Sequence, residues 1–184
     1  MDSFKFRNHD VKFSKIKGDV LDTNKFSETH VSSYAGSKDH APTVSSTTIT
    51  THEFWVREES GKEKSVTIID RNVPLRAGHN VSVLYAGSKH GKMPVAIANN
   101  TTGERSVIYK AKKINKLLLD KSTYGTQVFC TLFFGYLIGI FTGDSIVFWA
   151  VFGTAVLSII VKGLQLAISK RKLDAHIAEL AKTI

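Results

Sequence analysis

Between residues 124 and 168 the chain carries only two charges, Asp144 and Lys162, and this run constrains the fold more than any other feature. Residues 124–141 read YGTQVFCTLFFGYLIGIF. These are about eighteen positions without a charge, which at ~1.5 Å rise per residue cross most of a ~30 Å hydrocarbon layer as a helix. After Thr142, Gly143 and Asp144, residues 145–167 form a second apolar run, SIVFWAVFGTAVLSIIVKGLQLA, whose single charge, Lys162, lies near the far end where its stem can snorkel. The pattern predicts a two-helix transmembrane hairpin over 124–168. Gly143 would end the first helix in a left-handed conformation, and Asp144 or Ser145 would cap the second. A soluble helical hairpin would need a large partner core, which a chain of 184 residues does not leave room for.

The mean hydropathy of −0.05 resembles that of a soluble protein only because a polar first part offsets this apolar run. Formal net charge is +9, of which residues 122–184 contribute +2 and residues 1–121 the remaining +7. Lys110, Lys112, Lys113, Lys116 and Lys121 precede the first expected span, Lys170, Arg171 and Lys172 follow the second, and the turn between them has no Lys or Arg. Basic residues gather on the cytosolic side of a membrane, so both termini are expected in the cytosol, with these side chains at the anionic headgroups. Residues 1–22 mix charged and apolar positions and contain no apolar core of signal-peptide length. The sole cysteine, Cys130, lies within the apolar run, which excludes an intrachain disulfide.

Gly135, Gly139 and Gly143 recur every four residues in the first expected span, and Ala150, Thr154 and Ser158 in the second. Each set makes a small-residue stripe along which helix backbones approach closely in lipid. The stripes would pack the two spans of one hairpin, or also join neighbouring subunits. No acidic residue lies at mid-membrane, which favours assembly over selective conduction.

Ahead of the membrane, short alternating runs separated by turn residues predict antiparallel strands at residues 16–21, 47–57, 64–69, 80–85, 94–98 and 105–109. Glu59, Ser60 and Gly61 supply one hairpin turn, and residues 99–103 a second. Residues 23–46 read as a long loop or a ragged hairpin. The expected fold is α+β: a small, partly closed antiparallel barrel of the SH3-like or OB-like kind, with an open sandwich as the alternative, followed by the hairpin. The organisation is then an N-terminal arm (1–15), a β-rich cytosolic domain (16–109), a basic amphipathic juxtamembrane helix (110–123), the hairpin (124–168) and an amphipathic tail helix (169–184). The tail carries Leu173, Ile177, Leu180 and Ile184 at helical spacing and could pack on the β-domain, the membrane or a neighbour.

Seven histidines show none of the paired spacings of a metal motif, and no nucleophile elbow, phosphate loop or dinucleotide fingerprint is present. The pentapeptide YAGSK occurs at 34–38 and again at 85–89, without the flanking elements of a phosphate site. Neither a catalytic residue nor a cofactor or metal is expected; His52 and His79 have plain structural readings, in a strand and a turn. Alternation places one aromatic per strand in the core, so nucleic acid is not the expected partner. Trp55 and Arg57 share the outer face of their strand as a candidate patch for a cytosolic protein.

ETHVSS, STTITTHEFWVREESGKE and VPLRAGHNVSV together resemble a loosely defined group of small bacterial inner-membrane proteins with a β-rich front segment. The resemblance covers residues 18–82, implies a bacterial inner membrane and carries over no functional residue. The expected function is a membrane-anchored, homo-oligomeric interaction or regulatory module. The alternative is a small oligomeric channel or membrane-disrupting protein whose β-domains form a vestibule.

Overall fold

A computed structural model of the chain describes residues 2–6, 9–34, 41, 43–117, 129, 133, 134, 136, 137 and 145–184. The alternating runs become seven antiparallel strands: β1 (Asp2–Phe6), β2 (His9–Tyr34), β3 (Thr43–Glu58), β4 (Glu63–Ile69), β5 (Asn80–Ser88), β6 (Gly91–Asn99) and β7 (Glu104–Val107). They form one sheet in the order β4-β3-β2-β5-β6-β7, with β1 paired on the first residues of β2. The helices α1 (Ala111–Leu117) and α2 (Ser145–Thr183) follow among the described residues. Both expected hairpin turns are present. Gly61 takes φ +79° and donates its N–H to the Glu58 carbonyl at 2.8 Å, and Gly103 donates to Asn99 at 2.8 Å.

The barrel does not close. Among the described residues no ladder joins the edge strands β4 and β7, and β7 is a four-residue strand exposed throughout. The reason lies in β5 and β6. Every residue from Met93 to Asn99 is buried, as are Val81 to Leu84, so this part of the sheet is apolar on both faces and must be covered on both. A closed barrel would leave one of those faces in water. Instead the sheet curls so that Tyr109, just past β7, donates its hydroxyl to the Ile69 carbonyl at 2.7 Å and accepts from the Ile69 N–H at 2.6 Å. The last turns of α2 cover the other face. Along β2 the buried positions switch accordingly, from Val11 and Phe13 to Ile16, Gly18 and Val20. Since successive side chains point to opposite faces, β2 serves one layer and then the other.

Two boundaries also move. β1 and the first residues of β2 fall in the range read as an N-terminal arm, and Phe6, Val11 and Phe13 there are core. Of the stretch at 23–46, residues 23–34 and 43–46 are paired strands, the ragged-hairpin alternative rather than the loop. Its strands pair without interruption from Asp22↔Trp55 to Tyr34↔Thr43, and they project past the ends of β4 and β5 as a two-stranded ribbon.

Helix α2 runs unbroken for 39 residues, about 58 Å at 1.5 Å per residue. The expected second span and the expected tail helix are one element, because SKRK at 169–172 contains only tolerable helix formers and no Gly or Pro to interrupt it. Among the described residues this is the one helix long and apolar enough to cross a membrane, so a single such helix stands where a hairpin was expected. The first expected span and the 142–144 turn lie almost wholly outside the described residues; Phe129, Phe133, Phe134, Tyr136 and Leu137 are helical.

Gly18 is the tightest point of the sheet. A Cβ there would lie 2.1 Å from the Arg57 carbonyl oxygen, a backbone atom that cannot step aside. Gly18→Ala is expected to destabilise the domain by about 3 kcal/mol through overpacking. Thermal unfolding followed by near-UV circular dichroism in detergent should show a clear drop in midpoint; an unchanged midpoint would mean that β2 and β3 are not in this register.

Candidate functional site: a basic collar where the apolar helix meets the sheet

The final turns of α2 carry Leu173, Ile177 and Ala181 on one face and Ile184 follows directly after the helix, with exposures of 0, 0, 6 and 9%. Leu173, Ile177 and Ile184 are tail positions expected from spacing; the fourth expected position, Leu180, is only partly buried, and Ala181 joins the core of the strands instead. Burying Leu173 and Ile177 alone contributes about 3–6 kcal/mol of apolar transfer free energy. Two polar contacts fix the docking. Asp174 Oδ1 accepts the Ala111 N–H at 2.7 Å, so α2 supplies the cap that the start of α1 lacks in its own sequence. His176 lies against Phe4 and Phe13, with ring centroids 5.1 and 5.4 Å away, and its Nε2 sits 3.0 Å from Asp2 Oδ2, near enough for an ion pair but out of line for a hydrogen bond.

Immediately before this docked segment stand Lys170, Arg171 and Lys172, and beside Asp174 begins α1, flanked by Lys110 and carrying Lys112, Lys113 and Lys116. Ala111 and Ile114 are fully buried, so α1 turns its apolar side inward while Lys112 and Lys116 are exposed. Lys113 Nζ lies 5.5 Å from the Tyr109 ring centroid. The Tyr109 phenol is pushed above its ordinary value, chiefly by burial, and stays neutral as the donor to Ile69. None of these seven cations has an ion pair among the described residues. The two basic clusters, some sixty residues apart in sequence, thus form one collar at the level where α2 leaves the domain. Lys121 lies outside the described residues.

Beyond the collar α2 changes character. Trp149, Leu157, Ile160, Leu164 and Ile168 are all more than half exposed, and no residue of the apolar window is buried. Ala150, Thr154 and Ser158 lie exposed on this part of the helix. Gly135, Gly139 and Gly143 are outside the described residues. Trp55 and Arg57 share the outer face of β3 as expected. Both are exposed, but Arg57 donates to Glu63 Oε1 from Nε at 3.1 Å and from Nη2 at 2.8 Å, so its charge is already paired and Trp55, 44% exposed, has no such partner to give up among the described residues.

Sequence reasoning missed Asp174, His176 and Tyr109, which carry the polar contacts of the junction. A lone acid or histidine on a helix gives no sign of the strand it will meet. Two other histidines sit within hydrogen-bond networks of the sheet. His52 is fully buried, its Nε2 hydrogen-bonded to Thr23 Oγ1 at 2.7 Å and its ring against Phe54. His79 Nδ1 is 2.9 Å from Asn99 Nδ2 in the turn network. Among the described residues no cluster of metal-ligating side chains occurs. The second YAGSK runs along β5 rather than forming a turn, and burial pushes its Tyr85 up to about 12.

His52 generates a pH dependence. Burial, and secondarily Lys25, hold its pKa below the ordinary 6.5, because protonation would create a buried Nδ1–H with no acceptor among the described residues. The unfolded chain then takes up a proton that the folded chain refuses, so this contribution to stability is present above pH 6.5 and declines as pH falls below it. The unfolding midpoint should fall between pH 7 and pH 5, with a smaller slope in His52→Gln; equal slopes would contradict this environment. No protein-family model, curated protein or solved structure matches the chain.

Proposed function

We propose that this chain is a membrane-anchored, non-catalytic interaction module that assembles with copies of itself and presents its β-sheet domain on the cytosolic face of a membrane. The observation that carries this reading is the continuity of α2. One unbroken helix is exposed and apolar through its first part and is core to the β-domain in its last turns. An apolar helix left in water would be an aggregation surface far larger than the patches soluble monomers tolerate. In a bilayer the same residues are satisfied, and the collar of lysines and arginine sits where anionic headgroups attract it.

The finer features follow from the same arrangement. The apolar part of α2 makes one pass, the charge-free sequence of 124–141, which lies mostly outside the described residues, would supply the return pass, and both ends stay with the collar in the cytosol. The inner membrane of a bacterium is the setting implied by the resemblance. Gly135, Gly139 and Gly143 with Ala150, Thr154 and Ser158 give close-packing surfaces within and between hairpins. Because α2 enters the core without a hinge, the domain is held at a fixed attitude to the bilayer rather than tethered on a linker. Such a mount suits a docking platform, with Trp55 as an accessible aromatic on the outer face of the sheet.

The test combines extraction with topology. In a Cys130→Ser background, Ser60→Cys or Lys182→Cys should react with a membrane-impermeant maleimide in inverted inner-membrane vesicles but not in intact cells. The chain should stay in the pellet through alkaline carbonate, and its particle mass in mild detergent should be several times the 20.3 kDa of one chain. Release by carbonate would overturn the anchor, labelling in intact cells the orientation, and a monomeric particle the assembly.

A further inference from the structure

The β2–β3 ribbon is left without a task by the anchor and the core. β5 leaves β2 at Asp19, β4 leaves β3 at Thr51, and β2 and β3 continue together to Tyr34↔Thr43. From Asn24 to Tyr34 every residue of β2 is exposed, including Phe26 at 43%, Val31 at 66% and Tyr34 at 73%. A two-stranded ribbon with no core beneath it is marginally stable in water. Here its strands are tied by side-chain bridges, Ser27 Oγ to Thr50 Oγ1 and Thr29 Oγ1 to Thr48 Oγ1, both 3.0 Å. Exposed edges are usually blunted by lysines, prolines or bulges. From residue 24 to 34 the β2 edge has one lysine, Lys25, and neither a proline nor a register shift.

We propose that this edge is a self-association surface: β2 of one chain pairs antiparallel with β2 of a second copy, about a twofold axis at Thr29, to give a four-stranded intermolecular sheet β3-β2-β2-β3. The proposal rests on the reading that the chain assembles with itself and adds the surface through which its cytosolic parts do so. The register follows from charge. A twofold axis normal to the sheet sets even-numbered residues opposite even-numbered ones, because opposed side chains share a face. Centring the axis on Glu28 would oppose Glu28 to itself, and centring it on His30 would oppose the two imidazoles. Centring it on Thr29 places each Glu28 opposite His30 of the partner subunit, the one arrangement of the three that is complementary, and it sets Phe26 opposite Ser32 and Val31 opposite Ser27. With one lysine and one glutamate on the strand, no net repulsion opposes the pairing.

Disulfide cross-linking of the full chain in its membrane, on a Cys130→Ser background, tests this. Across the axis the two Thr29 Cα atoms would lie about 4.5–5.5 Å apart, within disulfide range. Thr29→Cys should therefore give a covalent dimer under mild oxidant at least tenfold faster than Ser27→Cys or Ser33→Cys, which lie four residues or more out of register with themselves. Adding Glu28→Arg to Thr29→Cys should slow the reaction, and adding His30→Glu as well should restore it. Equal rates at all three positions, no cross-link at residue 29, or no rescue would overturn the ribbon pairing. The same membranes taken through carbonate separate the readings, since a chain that stays in the pellet and remains oligomeric without the residue-29 cross-link loses only the ribbon.

Discussion

The burial of Leu173 and Ile177 under the sheet is the contact on which the rest of the structure depends. β5 and β6 are apolar on both faces, and the last turns of α2, with the buried side of α1 beside them, join the core against one of those faces. Removing that helix would expose Phe13, Met93 and their neighbours to water. The opposite face is closed by the curl of β3 and β4, held by Tyr109 on the backbone of Ile69. Neither layer is a domain alone, so the sheet and the end of the apolar helix fold as one body.

That coupling explains the shape of the junction. A helix that must reach the core cannot stop where its apolar run ends, and the SKRK segment therefore has to be helical as well as basic. Asp174 then does two jobs, sitting on α2 while capping α1, which brings the basic residues on either side of the apolar region to one level. Charge at this level and apolar side chains beyond it are what an interface between water and lipid selects for.

Much of this was legible in the sequence. Alternation placed most of the strands, Gly61 and Gly103 placed the turns, and the four-residue spacing of Leu173 and Ile177 gave the tail an apolar face without saying what covers it. What was not legible was where alternation stops. VSVLYAG and MPVAIAN are continuous rather than alternating, a sign of burial on two faces, and reading them as ordinary strands led to a barrel. In 23–46, Ser and Thr suit loops and exposed strands equally, so only the ladder distinguishes them. His52, Asp174, His176 and Tyr109 make contacts 29 to 63 residues away or between strand and helix, and no local pattern announces such partners.

The central claim is that one straight helix joins the bilayer to the β-core, and the distance between its ends tests it most directly. Spin labels at Ala150→Cys and Lys182→Cys, in a Cys130→Ser chain diluted with unlabelled copies in lipid nanodiscs, would report that length by pulsed dipolar spectroscopy. An unbroken helix predicts a narrow distribution near ~48 Å, at 1.5 Å per residue. A broad distribution, or one centred well below that distance, would mean that the helix breaks at the collar and that the β-domain is tethered rather than mounted.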